Sequence, residues 1–301
     1  MAGCRRRADS LPDDLYPDPD APHLLAALRS LGVSAALVSW DDPSMAWQQF
    51  SHVVISSTWD SVDRPSEYLA WARHIADCTT LVNDVAFVEW NLDKAHQREL
   101  DLAGVPTVHT DWIAPGDLWA PPTTTDFVVK PSVSAGGRST ARYAPGDPAA
   151  VDHVRALHGE GQTVMVQPYV HAIDADGEID VVLFNGTFSH AVKKRPALQV
   201  GQGLVENPWE QMAWEGIVTP TTEEMNVADA AVGVVRQRFG RYPVYSRVDI
   251  IGGPSGAPSI LEIELIDPYL SLDMEPAAAT DMAKSVLCAQ RQRDRNGATT
   301  T

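Results

Sequence analysis

The stretch that decides the fold is residues 127–140, FVVKPSVSAGGRST. Phe127, Val128 and Val129 lead into Lys130 and Pro131, and a short apolar run bounded by turn residues reads as a buried strand. A small hydroxyl- and glycine-rich loop, Ser132 to Gly137, follows before the chain extends again. Adjacent Gly136 and Gly137 let the backbone approach a ligand and turn its N–H groups towards it. Ser132, Ser134, Ser139 and Thr140 add donors, and Arg138 adds a rigid cationic fork. The segment suits a polyphosphate under a hairpin flap. Read alone, it fits an ordinary glycine hairpin with an exposed lysine equally well. No GxxxxGK[ST] string occurs, so it is not a Walker loop.

Downstream, 148–158 reads as a helix and 163–170 (TVMVQPYV) as a strand. Asp176–Gly177–Glu178 precedes two apolar runs, IDVVLF and TFSHAVKK, joined by Asn185–Gly186, a strong hairpin signal. A long helix is expected over 222–239, strands over 244–251 and 259–266, and a last helix over 276–291. The tail to Thr301 is expected to be disordered. Upstream, the first twenty residues look irregular. A helix begins at Asp20, a candidate N-cap, with Pro22 in its first turn, and Gly32 stops it. Strands over 33–40 and 52–56 with a helix over 66–77 predict a small parallel α/β unit. Ser57, Thr58, Trp59 and Asp60 follow a strand directly, where open α/β sheets bind ligands; a helix-capping turn with a packed tryptophan explains them as well. Residues 92–103 read as a helix ended by Gly104. Lys94 lies in its first turn, against the helix dipole, which points to an anionic partner or a solvated surface. Residues 105–122 contain a short VPTVHT strand and otherwise look like a connection.

The late strands carry the second signal. Asp249 lies in one, and Glu262 and Glu264, two apart in the other, share a sheet face; Arg247 shares a face with Asp249. Carboxylates in apolar strands are costly unless paired or metal-bound. Three together form an oxygen-only site suited to Mg²⁺, although a solvated strand face with alternating charge would look the same. The nine histidines show no HxxxH or HExxH spacing. Across the 301 residues, 44% are hydrophobic and 21% charged, as in a globular protein with room for several domains. A formal net charge of −17 argues against nucleic acid or an anionic membrane as partner. The start MAGCRRRADS has no apolar segment, and Cys4, Cys78 and Cys288 form no CxxC pair, so a cytoplasmic protein with reduced thiols is expected.

Lys94, the Lys130 strand, the glycine flap, the VQPYV strand, and a late R-x-D followed by E-x-E occur in the order found in ATP-grasp carboxylate–amine ligases, which the chain resembles from about Val53 to Leu272. The resemblance implies an α/β fold in three parts, residues 1–112, 113–172 and 173–301, with ATP between the last two. It places Lys94 and Lys130 as nucleotide-binding lysines, with Ser134, Gly136 and Gly137 in a mobile phosphate-covering loop. Gln167, Tyr169 and Val170 fall at the adenine hinge, where the family more often has glutamate than Gln167. Glu178 falls at a ribose contact. Asp249 and Glu262 match ligands of Mg²⁺ or Mn²⁺, and Glu264 replaces the usual asparagine. Arg247, Lys130 and Lys194 are the candidate catalytic cations; of Lys193, Lys194 and Arg195, at least one should face the cleft. Ser57–Asp60 and Arg247 are the candidate substrate contacts. ISSTWD, NGTFSHAVKKRP and LEIELIDPYLSL resemble a branch of small bacterial ligases that forms D-cycloserine. This implies activation of a small amino-acid carboxylate as an acyl phosphate, with O-ureido-D-serine closing to D-cycloserine and ATP yielding ADP and phosphate. An intermolecular dipeptide or amide ligase, or a non-catalytic ATP-binding module, are the alternatives; self-association is left open.

Overall fold

The computed structural model describes residues 1–4, 15, 17–195, 198, 201, 203–204, 213–253 and 256–289. The irregular stretch expected over 5–14 and the disordered tail expected beyond 289 lie outside the described residues.

The chain opens on a parallel α/β arrangement. Strand β1 (Ala2–Gly3) is followed by helix α1 (Ala21–Ser30) and strand β2 (Val38–Ser39), and β1 and β2 pair in parallel. Strand β3 (His52–Val54), helix α2 (Pro65–Cys78) and strand β4 (Thr80–Val82) repeat the pattern, again in parallel, and an Ala2–Ile55 bridge joins the two pairs. The first residues are thus strand rather than irregular; two residues are too few for any periodicity to reveal. The strand expected over 33–40 shrinks to β2. Asp20 does not cap α1. Asp18 accepts from the Asp20 and Ala21 amides instead, and the Asp20 carboxylate takes the Leu270 and Leu272 amides at 2.5 and 2.6 Å.

Helix α3 (Val85–Asn91), capped by Asp84, was not anticipated. The single helix expected over 92–103 divides into a 3₁₀ turn, Lys94–His96, capped by Asp93, and helix α4 (Gln97–Leu102). An antiparallel sheet follows in the order β5-β8-β6-β7. It comprises β5 (Asp111–Ile113), β6 (Phe127–Pro131), β7 (Ala141–Tyr143) and β8 (Val164–Pro168), with helix α5 (Ala149–Gly159) between the last two. Ala150, Val154 and Leu157 of α5 pack on Phe127, Val129 and Val166. VPTVHT does not join this sheet; Thr107 forms only an isolated bridge to Ile260.

After the short helix α6 (Ala172–Asp176), the Asn185–Gly186 turn joins β9 (Glu178–Phe184) to β10 (Thr187–Arg195). Both turn residues have positive φ, 51° and 75°, as a two-residue hairpin with the twist of its strands requires. Then come β11 (Ala213–Val218), also unanticipated, α7 (Thr222–Phe239), β12 (Tyr245–Gly252), β13 (Pro258–Glu264) and α8 (Pro276–Leu287). The sheet order is β11-β10-β9-β12-β13, antiparallel throughout. α7 carries a full capping box, Thr221 with Glu224. Its Val227, Ala228, Ala231, Val232 and Val235 cover the apolar sheet face made by Val181, Leu183, Ala191, Val248, Ile263 and Leu265. The other face is therefore left for charge.

The outer edge of β13 pairs with backbone only at Ile260, where Pro106 and Val108 bond it, and side chains seal the rest. Asn91 donates to Ile263 O at 2.8 Å and accepts from Leu265 N at 2.7 Å, and Gln97 donates to Leu261 O at 2.9 Å. Asn83 bridges Tyr245 O and Leu265 O, both at 2.8 Å. Buried side-chain amides thus take the ladder bonds a neighbouring strand would supply. They also fix α3 and the Lys94 turn against the charged sheet. No helix among the described residues is long and apolar enough to cross a membrane.

Candidate active site

Register places the charges. Arg247 lies opposite Glu264 on one side, and Asp249 lies between Glu262 and Asp180; Lys194 lies opposite Glu178. All project from the face that α7 does not cover. Arg247 grips Asp249 with two bonds, Nε–Oδ1 at 2.7 Å and NH2–Oδ2 at 2.8 Å, reaches Glu264 at 2.7 Å, and donates to Tyr269 O at 3.0 Å. Lys194 lies 2.6 Å from Glu178 and 3.4 Å from Asp180. Lys193 and Arg195 pair with Glu215; Lys194 and Arg195 both line the cavity, and of the two Lys194 is the one bonded into the carboxylate lattice.

Two further cations close the lattice from outside the sheet. Lys94 Nζ sits 2.9 Å from Glu262 and donates to Ser134 O at 2.5 Å, while its backbone amide bonds Ser132 O at 2.8 Å. Its place at a helix start has an acidic partner after all, but that partner is a protein carboxylate. Lys130 is buried at the end of β6, and desolvation pulls its pKa down, with Glu262 opposing.

Burial raises the carboxylates here, and neighbouring cations decide the outcome. Arg247 and Lys194 overcome burial at Asp249, and Lys94 and Lys130 overcome it at Glu262, so both are held below the ordinary range. At Glu178 and Glu264 burial wins, and each is pushed up to about 8. Glu264 keeps 29% of its side chain exposed against 7% for Glu178. Burial lowers the Lys194 ammonium's affinity for its proton, yet Asp180 and Glu178 outweigh this and hold it well above the ordinary value.

Two carboxylate triads have ligand oxygens within 4.8 Å of one another: Asp249–Glu262–Glu264 and Glu178–Asp180–Asp249. The second is wholly buried and already engaged by Lys194 and Arg247. The first opens on the cavity. Lys94 takes Oε1 of Glu262 and Arg247 takes Oε1 of Glu264, so each keeps a second oxygen to offer. This hard, oxygen-only set fits Mg²⁺.

The cavity has a volume of about 700 Å³ and runs between the two antiparallel sheets to the amino-terminal unit. The glycine loop roofs it. Gly136 and Gly137 have φ of 59° and 71°, in the region that favours glycine. Ser134 lines the cavity, but its hydroxyl turns to Pro131 O at 3.5 Å. Arg138 does not point to a phosphate position as its cationic fork suggested. It takes both oxygens of Asp63, at 3.1 and 2.9 Å, and Trp59 O at 2.5 Å, latching the loop to the amino-terminal unit. At the opposite wall Gln167, Tyr169, Val170 and Glu178 line the cavity. Gln167 is fixed by Thr110 at 2.8 Å, and the Tyr169 ring lies on the Arg142 guanidinium at 3.4 Å. Of the four residues expected at the substrate turn, Trp59 and Asp60 line the cavity. Ser57 and Thr58 are buried behind them, with Thr58 Oγ1 on Tyr68 and Asp267, both at 2.9 Å. Asp180, Asp63 and Asp267 were missed, since nothing in their local sequence marks which strand or loop they face.

A family profile for the N-terminal domain of D-cycloserine synthetase DcsG matches residues 2–83. The cycloserine biosynthesis protein DcsG of Streptomyces lavendulae is 32% identical over 290 residues, covering 93% of this chain and 95% of that protein. The chain belongs to the DcsG family of ATP-grasp ligases. It is an ATP-dependent enzyme forming carbon–nitrogen bonds. The crystal structure of D-cycloserine synthetase DcsG superposes with a TM-score of 0.82 at 31% identity, over 94% of this ligase and 97% of that chain. A D-alanine–D-alanine ligase from Bacillus anthracis, solved with ATP, shares the fold at 12% identity and a TM-score of 0.61, over 92% of each chain.

Two expectations follow from this geometry. In chelator, the ligase should lose thermal stability as pH rises from about 4.5 through about 8, because folded Glu178 and Glu264 retain protons that the unfolded chain has released. An Mg²⁺ ion held by Glu264 would have to displace its proton, so stabilisation by the ion should grow over the same window in melting curves with and without it. Stabilisation by Mg²⁺ independent of pH contradicts the assignment. For the latch, Arg138→Ala should speed amide exchange over residues 132–140 about tenfold. Exchanging the two charges, Arg138→Asp with Asp63→Arg, should restore part of the protection; unchanged exchange in Arg138→Ala removes the latch.

Proposed function

We propose that this ligase activates the carboxylate of a small amino acid with ATP, and that the acid is O-ureido-D-serine, which closes to D-cycloserine. The observation carrying the reading is the lattice around Arg247, Asp249, Glu262 and Glu264. It sets cations and Mg²⁺-suited carboxylates side by side at the centre of a cavity roofed by a glycine loop. ATP takes the cleft between the two antiparallel sheets, with adenine near Gln167, Tyr169 and Val170, ribose near Glu178, and the phosphates between Lys94, Lys130 and the loop of Ser134, Gly136 and Gly137. Residues 1–112 hold the acid, 113–172 carry the loop, and 173–301 carry the lattice. Asp249, Glu262 and Glu264 hold Mg²⁺, with Mn²⁺ able to replace it; the ion neutralises charge on the phosphates when bound.

The chain's own residues supply the rest. Arg247 and Lys130 steady the carboxylate that attacks the γ-phosphorus and the oxyanion that develops as the acyl phosphate is consumed. Lys194 keeps Glu178 and Asp180 in place beside them. The closed loop excludes water, which would otherwise hydrolyse an acyl phosphate. The ureido nitrogen bonded to oxygen then attacks the acyl carbon, the ring closes and phosphate leaves; once the loop opens, water hydrolyses the carbamoyl group to carbon dioxide and ammonia. Because nucleophile and carboxylate belong to one molecule, the cavity needs no separate amine site, and pre-orientation supplies the effective molarity. The similarity to DcsG over nearly the whole chain favours this substrate over an intermolecular ligation.

Incubation of the purified ligase with O-ureido-D-serine, ATP and Mg²⁺ should yield ADP and D-cycloserine in equal amounts, with no added amine, by mass analysis. ADP formed only when a second amine is supplied would instead establish an intermolecular ligase.

A further inference from the structure

Of the three carboxylates lining the cavity's amino-terminal end, Asp60, Asp63 and Asp267, only Asp267 has no cation within salt-bridge distance among the described residues. Arg64 is fully engaged: it pairs with Asp60 at 2.5 Å, Asp41 at 3.0 Å and Glu67 at 3.4 Å, and lies 4.5 Å over the Trp40 ring. The other Asp60 oxygen accepts the Trp40 indole N–H at 2.8 Å. Arg138 is neutralised by Asp63 at 2.9 Å. Asp267 also lines the cavity, just beyond β13, and its partner is a neutral hydroxyl, Thr58 Oγ1 at 2.9 Å from Oδ2. Among the described residues no lysine, arginine or histidine nitrogen lies within 4.0 Å of it.

Asp267 is nevertheless firmly held. Thr58 is fixed in turn by Tyr68 OH at 2.9 Å, and the Trp59 indole donates to the Asp267 carbonyl at 3.2 Å. Two residues on, the Tyr269 carbonyl accepts from Arg247. One short segment, Asp267–Tyr269, therefore touches the Trp59 turn at one end and the central arginine at the other. An α-amino acid presents its ammonium and carboxylate on a single carbon, so both must be recognised within one small volume. Arg247 marks the carboxylate side of that volume.

We propose that Asp267 is the counterion of the substrate's α-ammonium group, and so the residue that selects an amino acid over a simple carboxylic acid. This rests on the reading of the site as one that activates an amino-acid carboxylate. An ammonium docked there completes the charge pairing at this end of the cavity. It also relieves the burial that, with nearby Asp60 and against the Thr58 bond and the more distant Lys94 ammonium, pushes the Asp267 carboxyl up to about 6. A hydroxyl in place of the ammonium leaves the carboxylate desolvated and without a charge partner.

The test compares O-ureido-D-serine with its 2-hydroxy counterpart, each with ATP and Mg²⁺, by ADP release. The wild-type ligase should favour the amino compound at least about a hundredfold in kcat/KM. Asp267→Asn keeps the Thr58 bond but removes the charge. It should shrink that preference at least tenfold through a higher KM for the amino compound, with KM for ATP unchanged, and Asp267→Glu should restore part of it. A preference unchanged within twofold in Asp267→Asn overturns the assignment while leaving the functional reading intact. So does a wild-type preference near unity, which needs no variant to fold. No ADP from wild type with either compound overturns the functional reading and this inference with it.

Discussion

The structure depends on one constraint: the charges buried on one face of a five-stranded sheet must balance one another. Lys94, Lys130, Lys194 and Arg247 stand among Glu178, Asp180, Asp249, Glu262 and Glu264. Removing any ion from water costs several kcal/mol, and a buried charge whose partner is deleted costs about as much again. Four cations against five carboxylates leave the protein lattice one unit negative. Protons retained at Glu178 and Glu264 more than offset this at rest, and bound phosphates with a divalent cation would reset the balance. The same constraint shapes the surroundings. The opposite sheet face must be aliphatic to anchor on α7, and the edge of β13 must be sealed by Asn83, Asn91 and Gln97 rather than opened to solvent. Charges fixed in this way need little reorganisation during reaction, the condition under which electrostatic stabilisation is most effective.

Two contacts tie the amino-terminal unit to the glycine loop. Lys94 ties itself to the Ser132 and Ser134 carbonyls and to Glu262 at once, so the position of the loop and that of a carboxylate are linked through one side chain. Arg138 fastens the far end of the loop to the turn that carries Trp59 and Asp63. The loop and the turn are therefore held to each other by one arginine.

Much of this was legible in the sequence wherever local chemistry is sufficient. The Asn185–Gly186 hairpin, the β6 and β8 strands, α7, and the R-x-D and E-x-E strands carry turn residues or periodicities that do not depend on distant partners. Strand alternation alone put Arg247 with Asp249 and Glu262 with Glu264. What remained hidden was set by contacts across long sequence separations. Asp180 belongs to the lattice because β9 happens to lie beside β12, and its own strand reads like any apolar run. Ser57 and Thr58 lie behind the cavity wall because the turn presents only Trp59 and Asp60. The Arg138 guanidinium follows Asp63 rather than a phosphate, and no local signal distinguishes the two anions. Strand β1 is too short to show a period, and the Asn83 and Asn91 amides replace a strand that sequence patterns would have sought.

The central claim is that ATP activates a carboxylate within this lattice. It is tested most directly with O-ureido-D-serine labelled with ¹⁸O in its carboxylate. If the acyl phosphate forms, one labelled oxygen leaves with the phosphate when the ring closes, and mass analysis should find ¹⁸O in the inorganic phosphate in step with ADP. Unlabelled phosphate accompanying full product formation would contradict the account.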